Sequence, residues 1–309
     1  MAAGHRYRGA MPELALPWVP EGRLVRVDGH GELFVRMHRH PDPDAPVVLL
    51  LHGWTASIDL QFVTAYEALA ARCTFVGIDH RGHGRGLRAP EPFTLEDAAD
   101  DAAALVRHLG LGSVIAVGYS MGGPISMLLT RRHPGLVRGL VVQATALDWT
   151  HNFRDRFLWR VLPIAGSWLR TKGYRRTLNR AVPRAIGTHR AQEVAHPVQP
   201  YIPWLVSEMS RNDPFVMVEA GRALADYDAR PWAATLGVPA GSLITTGDHL
   251  VPPRHQWALA AALGATVREL RADHFATLSH PEAYTALTME LIDDVVQRSS
   301  VASPTSGVA

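Results

Sequence analysis

Four short apolar runs constrain this chain more than any other feature: VVLLL (47–51), TFVGI (74–78), SVIAV (113–117) and VRGLVV (137–142). A strand covered by helices on both faces keeps no polar side, so it reads as a nearly continuous hydrophobic run. The stretches between the runs have helical spacing. Phe62, Tyr66 and Leu69 recur across 59–72. Thr94 opens a helix to about Leu109, with Asp97 three residues on, close to a capping box. Gly118 to about His133 reads as a turn and a helix. Strand and helix alternating in this way predict βαβ units and a parallel sheet. Upstream, RLVRVD (23–28) and ELFVRM (32–37) alternate apolar and polar residues about turn-forming glycines, the pattern of a hairpin. Three prolines and two aspartates make 38–46 a loop.

The alternation stops after the fourth run. Residues 148–213 hold no strand pattern and five prolines (Pro163, Pro183, Pro197, Pro200, Pro203). It resumes with a helix near 215–226, a strand at 242–246, a helix near 253–264, a strand at 265–270 and a helix from Pro281 to about Gln297. This predicts an α/β core, 1–147 and 214–309, interrupted by a helical insertion over 148–213. The first 20 or so residues and the small, polar SSVASPTSGVA tail are expected to be flexible. From Trp149 to Asp213 there are ten arginines and Lys172 against four acids, a charge of +7, in a chain of net charge +2. Phe153, Phe157 and Val161 recur every four residues beside Leu158 and Leu162, with Arg154, Arg156 and Arg160 mostly on other faces. That is an amphipathic basic helix. The plainer reading is an apolar face roofing an acyl pocket and solvated arginines. The sharper one is peripheral contact with anionic lipid.

Gly118-Tyr119-Ser120-Met121-Gly122 is a G-x-S-x-G between a predicted strand and a predicted helix, the context that the motif requires. A strand turning sharply into a helix needs small residues on either side, and it lifts the central hydroxyl out of the carboxyl end of the sheet. Serine alone is a poor nucleophile and needs a base, itself oriented by an acid. Asp248, in TTGDHLVPP (245–253), and His274, in ADHF (272–275), both follow predicted strands and so reach the same sheet edge as Ser120. An oxyanion needs two N–H donors. Met121, after the serine, and Trp54, in the HGW that follows the first buried strand, are placed to supply them. His52 of that segment reads as a packing and hydrogen-bonding residue.

With VVLLLHGW (47–54), GIDHRGHGRG (77–86), GYSMGG (118–123), TTGDHLVPP, ADHF and HPEAY (280–284), the chain resembles the α/β-hydrolase superfamily, in the branch of carboxylesterases and lipases. The resemblance spans roughly 24–147 and 214–297. It implies a mostly parallel sheet with helices on both faces, a helical cap, Ser120 as nucleophile, His274 as base, Asp248 as acid, and Trp54 and Met121 as oxyanion donors. It also implies that Asp79, Arg81 and Gly82 shape their loop, and it makes Asp148, after the fourth strand where some relatives place their acid, a rival to Asp248, whose Gly-Asp-x-x-Val-Pro context (247–252) matches. Epoxide hydrolases and haloalkane dehalogenases of similar fold have aspartate where this chain has Ser120, which sets both classes aside. The expected activity is hydrolysis of carboxylic esters of apolar acyl or aryl groups. Thioester, lactone and C–C bond hydrolysis, peracid formation and a ligand receptor with vestigial turnover are the alternatives.

Composition narrows the partners. One cysteine, Cys73, excludes an internal disulfide framework and a cysteine-rich metal site. No metal or organic cofactor is implied. A net charge of +2 gives no ground for nucleic-acid binding. The near-total use of arginine over lysine reads as the codon bias of a GC-rich, bacterial genome. No 18-residue uncharged apolar stretch and no secretory leader are found, so the expectation is a cytoplasmic protein acting on a small ester or lipid. Its oligomeric state is not written in these residues.

Overall fold

The computed structural model describes residues 17–149 and 202–301. The basic amphipathic helix, most of the expected insertion and the outer parts of both termini lie outside those residues.

The hairpin forms as expected: β1 (Gly22–Val27) pairs antiparallel with β2 (Gly31–His38). The apolar runs become β3 (Val47–Leu51), β4 (Thr74–Ile78), β5 (Val114–Tyr119) and β6 (Val137–Gln143), followed by β7 (Ala240–Thr245) and β8 (Thr266–Leu270). All eight form one sheet in the order β1-β2-β4-β3-β5-β6-β7-β8, antiparallel as far as the β2–β4 pair and parallel from β4 onward. The pleat explains the apolar runs. Leu49 and Leu51 enter the core on one face of the sheet, while Val48 and Leu50 enter the core on the other. Each such leucine, removed from water, contributes about 1.5–3 kcal/mol. Helices Leu95–His108 and Gly122–Arg132 cover the first core; Pro281–Val301 covers the second.

Local chemistry sets the helix ends. The Thr94 hydroxyl accepts from the Asp97 N–H at 3.0 Å and caps Leu95–His108. The Asp97 carboxylate does not close a capping box: it lies 3.4 Å from Arg81. The single helix expected over 59–72 is broken into Ile58–Phe62, a 3₁₀ turn Val63–Ala65 and Tyr66–Ala70. Two β-branched residues sit at the break, and the Thr64 hydroxyl donates to the Thr277 carbonyl at 3.0 Å, a tie to a distant part of the chain. The strand expected at 242–246 starts two residues earlier. The last helix runs to Val301, through the SSV expected to be disordered. There Ser299 and Ser300 donate to the Val296 carbonyl and Arg298 holds Asp294 and the Ala240 carbonyl.

The topology fixes where a site can be. The chain moves outward from β3 to β4, then returns to the other side of β3 to form β5. Loops leaving the carboxyl ends of β3 and β5 therefore diverge at a switch point, the crevice where open α/β sheets bind ligands. Among the described residues no helix is long and apolar enough to cross a membrane.

Candidate active site

Ser120 sits in that crevice. Its φ of +52° is the strained left-handed conformation that a sharp strand-to-helix turn demands. The flanking glycines are steric necessities. A Cβ on Gly118 would stand 2.2 Å from the Gly122 carbonyl oxygen, and one on Gly122 would stand 2.0 Å from that of Leu51. The turn is pinned by the Ser120 N–H donating to the Gln143 carbonyl and the Gly123 N–H donating to the Ser120 carbonyl, both at 2.9 Å.

Asp248 and His274 are brought to it from the ends of β7 and β8. His274 Nε2 is 3.0 Å from Ser120 Oγ, and His274 Nδ1 is 2.7 Å from Asp248 Oδ2. The tautomer follows from the surroundings of the carboxylate. Asp248 Oδ1 accepts the Leu250 and Val251 N–H groups at 2.8 and 2.9 Å, and Oδ2 accepts the Thr245 hydroxyl at 2.9 Å. A fully buried carboxylate ringed by donors takes a further N–H, so Nδ1 carries the proton and Nε2 presents its lone pair to Ser120. Gln256, buried on helix Pro253–Leu263, accepts the Thr245 N–H at 2.9 Å and donates to the Thr245 hydroxyl at 2.9 Å and the Val251 carbonyl at 2.7 Å. Sequence reasoning missed this brace. Its signal was a glutamine in line with Leu259 and Ala260 on the helix face that turns inward. Tyr119, next to the serine, donates to the His274 carbonyl at 3.1 Å and meets the imidazole edge-on.

Met121 caps the start of helix Gly122–Arg132, where backbone N–H groups have no partners within the helix. Trp54 lies across the crevice in the loop after β3. Gly53 packs directly on the serine: a Cβ there would be 3.1 Å from Ser120 Cβ. The peptide joining Gly53 to Trp54 is held by its carbonyl, which is 2.8 Å from His52 Nδ1 and accepts the Ala56 N–H at 3.3 Å. His52 Nε2 accepts the His80 N–H at 3.0 Å, so Nδ1 is the protonated nitrogen and donates to Gly53. The trans peptide then turns the Trp54 N–H the opposite way. Burial first, then the neighbouring His80 and His83 rings, hold the His52 pKa well below the usual imidazole range, and the ring stays neutral.

The loop after β4 is built as structure. Asp79 Oδ1 accepts the Ile58 N–H and Oδ2 the Arg85 N–H, each at 2.7 Å. Arg81 grips Asp101 through two bonds of 2.8 Å, and Gly82 adopts φ +73°. Asp148 lies elsewhere: it bridges to Asp228 and sits 3.3 Å from Arg230, while His274 Nδ1 faces Asp248. Among the described residues no group of three or more His, Cys, Asp or Glu side chains is arranged to hold a metal ion.

The chain has relatives among known proteins. A family described as the α/β hydrolase fold matches residues 46–281. A Bacillus subtilis protein named AB hydrolase superfamily protein YisY is 26% identical over 75% of this chain and 83% of its own. The pimeloyl-[acyl-carrier protein] methyl ester esterase of Neisseria meningitidis is 28% identical over 86% of this chain and 83% of its own. Among solved structures, a hydrolase from Pseudomonas aeruginosa superposes with a TM-score of 0.75 at 19% identity, covering 88% of this chain and 98% of that one. At that identity it speaks for the fold alone.

Proposed function

The chain belongs to the α/β-hydrolase family, and from that premise we propose that it is a serine hydrolase cleaving carboxylic esters of apolar acyl or aryl groups through an acyl-enzyme on Ser120. One observation carries the reading: the continuous relay from Ser120 Oγ to His274 Nε2 at 3.0 Å and from His274 Nδ1 to Asp248 at 2.7 Å. In this reading His274 Nε2 takes the Ser120 proton as Oγ attacks the ester carbonyl. The Trp54 and Met121 N–H groups receive the oxyanion, and the imidazolium formed is stabilised by Asp248. As the tetrahedral intermediate collapses, His274 protonates the leaving alcohol. His274 then removes a proton from water, which attacks the acyl-serine and releases the acid.

Two further points support the ester reading. The Neisseria relative is named for a methyl ester. An apolar cluster including Ala56, Leu60, Leu205, Val206, Leu278 and Phe275 adjoins both the loop after β3 and His274, and it suits an apolar group better than a charged one. In this proposal the insertion over 148–213 serves as a cap over the site.

The test is a pre-steady-state burst with p-nitrophenyl esters from C2 to C16, run beside Ser120→Ala and a fluorophosphonate label. A burst and a label that both vanish in the variant support the reading, and the chain-length profile sizes the pocket. Wild-type protein that neither labels nor turns over these esters overturns it.

A further inference from the structure

The loop that carries the Trp54 amide is held from two sides, and only the inner side belongs to the site described above. On its outer side three ties, from Trp54, Thr55 and Ser57, reach a segment far along the chain. The Trp54 indole Nε1–H donates to the Met217 carbonyl at 2.9 Å. Asn212 Nδ2 donates to the Thr55 carbonyl at 2.6 Å. The Ser57 hydroxyl donates to Glu208 Oε2 at 2.7 Å. Residues 208–217 are the stretch by which the chain leaves the insertion and re-enters the core through helix Pro214–Asp226.

Asn212 is the centre of this clasp. It is 3% exposed, and both ends of its amide are used: Oδ1 accepts the Gly84 N–H at 2.7 Å while Nδ2 serves Thr55. Because Gly84 offers a donor and Thr55 an acceptor, the amide has one workable orientation, and aspartate at this position would set a carboxylate oxygen against the Thr55 carbonyl. Thr55 needs such a tie. It is β-branched at φ +62°, a conformation that threonine adopts only where its surroundings impose it. Glu208, four residues before Asn212, is itself fixed by two bonds to Arg85 of 3.0 and 3.1 Å.

We infer that Asn212 is a positioning residue for the reaction: from the root of the insertion it sets the turn at Thr55 and so aims the Trp54 N–H at the developing oxyanion. This inference rests on the acyl-enzyme reading above, in which Trp54 is an oxyanion donor.

The test compares wild type with Asn212→Asp in steady-state hydrolysis of the best p-nitrophenyl ester and in inhibition by a matched pair of ketones. A trifluoromethyl ketone adds to Ser120 and places an oxyanion in the hole; the corresponding methyl ketone does not. Removing a whole oxyanion donor costs about 10²–10³ in kcat. A misaimed donor is therefore expected to lower kcat at least about tenfold with KM within about twofold of wild type. Affinity for the trifluoromethyl ketone should fall by the same factor, and that for the methyl ketone should hold. A folded variant with unchanged kcat, or one in which both ketones weaken equally, overturns the inference while leaving the ester reading intact. Wild type that neither hydrolyses esters nor binds the trifluoromethyl ketone overturns both. Should Asn212→Asp fail to fold, Trp54→Phe removes the tie to Met217 but keeps the backbone N–H. Combined with Asn212→Ala, which deletes both amide ties without adding a charge, it frees Trp54 and Thr55 on the outer side of the loop; Asn212→Ala alone is expected to split kcat from KM and the two ketones in the same way, and its failure to do so overturns the inference.

Discussion

His52, His80 and His83 form a buried cluster of imidazoles beside the loop after β4, with ring centroids 4.2 Å apart for the first pair and 5.4 Å for His52 and His83. Burial first, then the neighbouring His83, pushes His80 down to about 3. Burial, with Arg88 adding to it, pushes His83 down to about 4. An unfolded chain protonates a histidine near pH 6.5. Between pH 6.5 and 4 the unfolded state therefore binds protons that the folded state does not. The stability these histidines contribute is complete above pH 6.5 and is lost as pH falls. From pH 7 to pH 5 each costs about 2 kcal/mol, or about 4 kcal/mol for His80 and His83 together. His52 acts in the same direction. Asp79 opposes them: burial raises it to about 6, so the folded protein takes up a proton there that the unfolded chain does not. That offsets about 1 kcal/mol by pH 5. The perturbation is His80→Leu. Among the described residues neither ring nitrogen of His80 meets a partner, so no side-chain hydrogen bond is lost. Urea unfolding of wild type and variant at pH 7 and pH 5 measures the four stabilities. The variant should lose about 2 kcal/mol less than wild type over that interval. A loss equal to that of wild type within about 0.5 kcal/mol would refute the assignment of a buried, neutral His80.

Three other outcomes follow from the site. Asp248→Asn removes the acceptor that fixes the His274 tautomer and should lower kcat by about 10⁴-fold with little change in circular dichroism. Gln256→Leu frees Thr245 and Val251 around that carboxylate; kcat should drop roughly tenfold, and stability by about 1–3 kcal/mol in urea unfolding, from buried groups left unpaired. Gly118→Ala drives a methyl group into the Gly122 carbonyl and should abolish soluble expression or cost more than about 4 kcal/mol of stability.

What the sequence made legible was whatever rests on local pattern. The β5 run, Gly118, Gly122 and the helix after them dictate one turn, and the turn lifts Ser120. Asp248 and His274 were found because each directly follows a strand. Gln256, Glu208 and Asn212 were not, because their meaning lies in partners with no local pattern to link them: Asn212 touches Thr55, 157 positions away, and Glu208 touches Ser57, 151 away. The break in the 59–72 helix has the same origin, since Thr64 answers to Thr277. The last helix ran on through SSV because two serine hydroxyls found a carbonyl one turn back, an option that composition alone does not reveal.

The order of the parts along the chain also has a consequence for synthesis. Ser120 and its partner His274 are 154 residues apart. At a ribosomal pace of about 5–20 residues per second, the serine emerges roughly 8–30 s before the imidazole that would make it reactive. Throughout that interval the β3–β5 segment can begin to fold with an inert hydroxyl. In the proposed mechanism, therefore, no acyl-serine can form on the nascent chain until its carboxyl-terminal strands have been delivered.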